Sequence, residues 1–239
     1  MIYCSASYSN ITIRNCTFSE FGHTAIWLQH GDNSYITNVT IEDCVIEDAV
    51  YSGIMVIGVD GGTIQRNTVR RIGYAADGYD SLNCNCYGIS VTNDGDGSYP
   101  STDVLVADNV VEDIPLWHGL STHGGRGLTF RHNTVRRCAR AMFVTGGPNA
   151  SHPQDCIIES NLFTHPKDDR PTRNGTDDGI AMTECAGINN IFRNNHIGDS
   201  AVETGHPYAN IYYDTCEPST NTTLTNNTRS ETLPTYPEA

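Results

Sequence analysis

Phe-Arg-His-Asn-Thr-Val at residues 130–135 decides the fold, because seven relatives of this phrase recur along the chain. TIRNCTF (12–18), TIEDCVI (40–46), IQRNTV (64–69) and VADNVV (106–111) precede it, and IESNLF (158–163), FRNNHI (192–197) and LTNNT (224–228) follow it. One column through all eight holds Cys16, Cys44, Asn67, Asn109, Asn133, Asn161, Asn195 and Asn227, at spacings of 28, 23, 42, 24, 28, 34 and 32 residues. A short strand that returns at such intervals, with variable insertions, is the pattern of a solenoid. A second phrase follows the first seven: AIWLQ (25–29), GIMVI (53–57), GISVT (88–92), GLSTH (119–123), AMFVT (141–145), GIAMT (179–183) and AVETG (201–205). Its apolar–polar alternation describes a strand with one buried face. No long window shows helical periodicity, and Gly, Asn, Asp and Thr punctuate the chain as turns require. The expected fold is all-β, a parallel β-solenoid of about eight rungs over residues 1–230, with a tail at 231–239.

Stacked strands bring equivalent residues within about 4.8 Å of one another. Buried Asn side chains at that separation can pass amide hydrogen bonds from rung to rung, so the column is read as scaffold. At its start Cys16 and Cys44 replace Asn, and adjacent rungs bring their Cα atoms into disulfide range. A bridge and a pair of stacked thiols both satisfy that geometry.

NITIRNCTF, DGIAM, HGLSTHGG and the Asn column together resemble the right-handed parallel β-helix proteins of the pectate-lyase-like superfamily, over roughly residues 2–230. That resemblance implies the fold and a choice of activities: polysaccharide lyase, glycoside hydrolase, uronate epimerase, tailspike or adhesin. A polygalacturonase-like enzyme would carry NTD, DD, GHG and RIK signatures in that order. Here His118-Gly119 precedes Asp177-Asp178, and no RIK is present. The Asp-Pro-His-Asp signature of the epimerases is also missing.

The chain has 239 residues and a net charge of −14, with 28 acidic against 14 basic residues. Nucleic acid needs a basic surface, so it is excluded as a partner. No run approaches the roughly 20 apolar residues of a membrane span. Nine cysteines and seven Asn-x-Ser/Thr sequons, at Asn10, Asn15, Asn38, Asn149, Asn174, Asn221 and Asn226, point to a secreted, oxidising setting. A loop disulfide is the expected role of the Cys84-Asn-Cys86 pair. No secretory signal is visible, and no capping segment precedes residue 11, from which a fragment, a mature domain or part of an oligomer is expected.

Insertions locate the functional edge. The third rung inserts residues 70–87 and the sixth inserts 164–178 between the two phrases, at the same corner of the solenoid. Long loops on a rigid scaffold usually carry function. As walls three rungs apart they would enclose a trough about 14 Å wide. Two residues before each apolar anchor the sequence reads Thr24, Ser52, Tyr87, His118, Arg140, Asp178 and Ser200; three residues after, Gln29, Ile57, Thr92, His123, Thr145 and Thr183.

The expected catalytic residues are His118, Arg140, Asp177, Asp178 and His123, with His123 on a face pointing to solvent. Tyr79, Tyr87, Trp117 and Arg126 are expected to bind substrate, the aromatics by stacking on sugar. Calcium is the one cofactor considered, with Asp94 and Asp96 in Asn93-Asp94-Gly95-Asp96-Gly97 as weak ligands lacking the distal Glu of a calcium loop. The expected partner is a polysaccharide or oligosaccharide. Paired carboxylates favour hydrolysis; a lyase acting on a uronate and a non-catalytic glycan binder are the alternatives.

Overall fold

The computed structural model describes residues 1–31, 34–73, 85–93, 97–146, 151–164, 180–198, 212–214 and 217–230. All its regular elements are strands, and every pairing between named strands is parallel and to the equivalent strand one turn away. Each turn of the coil presents three faces. The first is an eight-stranded sheet running Ser9–Arg14, Ile36–Glu42, Val59–Gln65, Thr102–Ala107, Thr129–Arg131, Ile157–Glu159, Ile191–Arg193 and Thr223–Thr225. The second begins at Thr17–Phe21, Val45–Ala49 and Thr68–Arg70. The third comprises Ile2–Cys4, Thr24–Gln29, Ser52–Ile57, Tyr87–Thr92, the end of Val110–His123, the end of Thr134–Thr145, Ile180–Cys185 and Tyr212–Asp214. In the fourth and fifth turns single strands, Val110–His123 and Thr134–Thr145, run from the second face across the corner onto the third.

One apolar column from each face fills the core. The first face contributes Ile13, Ile41, Ile64, Val106, Phe130, Ile158 and Phe192; the third contributes Ile26, Ile54, Ile89, Leu120, Met142 and Met182. Beside the third-face column runs a column of small residues, Ala25, Gly53, Gly88, Gly119, Ala141 and Ala181. A Cβ on Gly88 would stand 2.4 Å from Val111 Cγ1 on the second face, which is why glycine occupies the tightest turns.

The Asn column forms the expected ladder. Each Nδ2 donates to the Oδ1 one turn on, through Asn67, Asn109, Asn133, Asn161, Asn195 and Asn227, at 2.9–3.0 Å. Each Nδ2 also donates to a carbonyl of the preceding turn, and each Oδ1 accepts a backbone N–H as well. Every amide group at this corner is therefore satisfied. The residue just before the ladder position is left-handed in all eight turns: Asn15, Asp43, Arg66, Asp108, His132, Ser160, Asn194 and Asn226, with φ of 52–56°. Asn and Asp tolerate that conformation; Arg66, His132 and Ser160 adopt it because the ladder holds the corner in place.

Of the two geometries open to Cys16 and Cys44, the structure has the pair of thiols and not the bridge. Cys16 and Cys44 stack one above the other, and each thiol also donates to a nearby carbonyl. Buried Cys86 donates to the Val50 carbonyl, while Cys84 lies outside the described residues.

Candidate functional site

The long connections leave and rejoin the solenoid between the second and third faces. Residues 71–86 join Thr68–Arg70 to Tyr87–Thr92, and 165–179 join Leu162–Thr164 to Ile180–Cys185. Between them the fourth turn bulges. Ile114 pairs with Cys138 and His118 with Arg140, so Pro115, Leu116 and Trp117 stand against Ala139 alone. Bulges of this kind re-aim side chains and gather next to active sites. Here the bulge lays Trp117 against the ring that follows it.

His118 is the centre of the cluster. It lies between Tyr87 and Arg140 in the strand register and has no exposed surface. Trp117 stacks on its imidazole at 4.5 Å, Phe143 meets it edge-on at 4.6 Å and Tyr87 at 5.6 Å. The Arg140 guanidinium lies 4.7 Å from the Phe143 ring centre and 5.6 Å from that of Trp117, a cation held by two π faces. His123 contacts Tyr87 at 5.8 Å and lies 6.4 Å from His118.

Among the described residues neither His118 ring nitrogen has a hydrogen-bond partner. Burial, then the charge of Arg140, then His123 hold its pKa well below the usual imidazole range. Burial alone lowers His123 to about 4. Both rings are therefore neutral at pH 7 and resist protonation.

Of the expected residues, the structure brings together His118, Arg140, His123, Tyr87 and Trp117. Arg126 is not among them: it lies beyond the Gly124 turn, exposed, bridging Thr102 and Gln154 at the other end of the face. Asp177, Asp178, Tyr79, Asp94 and Asp96 lie outside the described residues.

Two sequence readings need correction. In the sixth turn Met182, not Ile180, pairs with Met142, so Ile180 takes the place beside Arg140 expected of Asp178, and Cys185 replaces Thr183 beside Thr145. GIAM offers apolar residues two apart, and strand periodicity accepts either as the anchor. The face carrying His123 is also not open to solvent. Ser121 is fully buried, and Ile57, Thr92 and Thr145 nearly so.

Phe143 escaped the sequence reading although its alternation with Met142 and Val144 marked it as outward-facing. Glu184 is fully buried on the inward side of its strand. It accepts from Asn190 Nδ2 at 2.6 Å and Thr222 Oγ1 at 2.8 Å. Among the described residues no three His, Cys, Asp or Glu side chains gather to hold a metal, and no helix is long and apolar enough to cross a membrane.

Comparison with known proteins agrees on architecture. The chain superimposes on the Agl-KA catalytic domain with a TM-score of 0.57 at 14% identity, covering 93% of this chain and 46% of that one. DFA-IIIase from Arthrobacter chlorophenolicus A6, solved in complex with GF2, gives 0.52 at 16% identity, with 94% and 56% covered. The chain thus spans about half the length of these solved structures. No curated protein matches it. The family model described as the right-handed beta helix region matches residues 1–231, and with the parallel three-faced coil it establishes that the chain belongs to the right-handed β-helix family.

Proposed function

We propose that the chain is a carbohydrate-active enzyme, extracellular, that hydrolyses a polysaccharide or oligosaccharide on the third face at the third to fifth turns. The observation that carries this reading is His118. A fully buried imidazole whose nitrogens lack partners costs stability, and such costs gather at functional sites. Burial and the fixed charge of Arg140 keep it neutral, so it offers a reacting group one N–H donor and one acceptor nitrogen in a preorganised place. Tyr87 and Trp117 supply aromatic surface of the kind that stacks on sugar rings. The fold-level likeness to a catalytic domain and to a DFA-IIIase adds analogy and no residue roles. The extracellular setting is supported by sequon residues Asn10, Asn15, Asn38, Asn221 and Asn226, all exposed.

Hydrolysis with two carboxylates needs groups that the described outward columns do not contain. Asp177 and Asp178, in the connection that rejoins the chain beside Arg140, remain the residues proposed for that role. One observation favours a second reading, elimination. Arg140, paired in register with His118, supplies a cation for a uronate carboxylate. Incubation with neutral and acidic polysaccharides separates the two. Reducing ends without an ultraviolet-absorbing double bond mean hydrolysis, and the same ends with that absorbance mean elimination. If no glycan gives product, the enzymatic reading fails and a binding role replaces it.

A further inference from the structure

The rings around His118 do not stop at the site. Tyr87 meets Tyr51 at 5.7 Å, Tyr51 meets His23 at 4.8 Å, His23 stacks on Trp27 at 5.2 Å, and Trp27 meets Tyr3 edge-on at 6.1 Å. These contacts carry an unbroken aromatic track from the fourth turn to the first strand. Its repeat is that of the turns, about 4.8 Å. Trp27, Met55, Ile57 and Tyr87 pack into a cluster on the outer side of the sheet, and Tyr51 and Trp117 touch both it and the main core. Burial grades along it. His118 is enclosed, Trp27 and Tyr51 are partly exposed, His23 is exposed and Tyr3 is 56% exposed. Contiguous apolar surface that reaches water, as at Trp27, His23 and Tyr3, marks an interaction site.

From the geometry we infer that this track is a glycan-binding platform, which holds a neutral chain of several sugars along the solenoid axis, from His118 toward the first turn. The inference rests on reading the third face as glycan-processing and gives that site its substrate class. Aromatic rings present apolar faces to the C–H faces of sugars, while hydroxyls remain for polar neighbours. Partly exposed Gln29 and exposed His23 supply them at the first turn, while Thr24, Ser52 and Ser90 in the same columns are buried. His23 apart, no described residue of the outward columns from Tyr3 to Thr92 is ionisable beyond the tyrosines and Cys4. A uronate chain would lie there without a cation for its carboxylates, beside a protein of net charge −14. Arg140, the one guanidinium in the cluster, stands at the far end.

The chain contains two tryptophans, Trp27 and Trp117, so a Trp117→Phe variant leaves Trp27 as sole reporter of the platform. Its emission would be followed during titration with gluco-, xylo-, manno- and fructo-oligosaccharides, from di- to hexasaccharides, and with galacturonate and mannuronate oligomers. The expected result is a saturable change with one neutral series that strengthens with chain length. Tyr51→Leu, which keeps an apolar side chain against the core and removes the ring, should weaken hexasaccharide binding about tenfold and leave the melting curve in place. A silent Trp27 across the neutral series, or a response to uronates alone, overturns the platform. Product from a neutral glycan with Trp27 silent would remove the platform and keep the enzyme; a Trp27 response without product from any glycan would do the reverse.

Discussion

Two corners of the same coil treat polar groups in opposite ways. At the corner between the first and second faces, every ladder amide from Asn67 to Asn195 finds its partners, within each turn and between turns. At the corner between the second and third faces, His118 is as deeply buried as Asn133, yet neither ring nitrogen is hydrogen-bonded among the described residues. The first corner is crossed by the same short turn in every rung. The second is interrupted by long connections and by the Pro115–Trp117 bulge. Satisfied burial identifies scaffold, and unsatisfied burial beside a charge identifies chemistry.

The comparison breaks first at His118. Replacing it with Ala should cut glycan turnover by roughly 10²–10³-fold, the usual effect of removing a preorganised hydrogen-bonding group at a reacting centre. The melting curve should hold or rise, because an unpaired buried group is removed; a collapsed fold would return His118 to the scaffold. Asn133→Ala should do the opposite. It deprives donors and acceptors on both neighbouring turns and should cost about 3 kcal/mol in denaturant titration.

The pH dependence of melting sharpens the contrast. Unfolded imidazoles take up protons near pH 6.5, whereas folded His123 does so only at about 4 and folded His118 well below its usual range. Over that interval the unfolded chain binds more protons, so stability is complete above about pH 6.5 and falls as pH drops toward about 4. His118→Phe should flatten this slope; an unchanged slope would mean that the ring is not the group resisting protonation. The smallest effect belongs to the surface. Arg66 pairs with Glu42 and Asp43 at 2.7–2.8 Å in exposed positions, and Arg66→Ala should barely move the melting temperature.

The column of Asn made the coil legible because a buried amide at a fixed place in every turn leaves few alternatives. The third face was legible only up to its register. Thr24, Ser52, Tyr87, His118 and Arg140 align as the sequence predicts, because each precedes a single small residue and a single apolar anchor. In the sixth turn Gly179 and Ala181 are both small, Ile180 and Met182 both apolar, and pattern alone cannot choose. The bulge was hidden for a related reason. Pro115 marked an irregularity, but nothing local says how many residues a bulge absorbs. The left-handed corners were half visible, through Asn and Asp; at Arg66, Arg71 and Arg137 the conformation comes from neighbouring turns.

The ladder also has a direction. Each side-chain amide donates to the oxygen one turn toward the C-terminus, and no oxygen passes a bond back the other way. A turn in the middle of the coil therefore has its side-chain oxygen supplied by the turn before it, its backbone N–H and one Nδ2–H answered by the turn after, and the other Nδ2–H by a carbonyl of the turn before. A duplicated turn carrying one Asn could be spliced in anywhere between Asn67 and Asn227, and all partners would be restored by a shift of one place. The coil can lengthen by copying a unit already present, and the thiols of Cys16 and Cys44 close the series where no further amide is waiting for an acceptor.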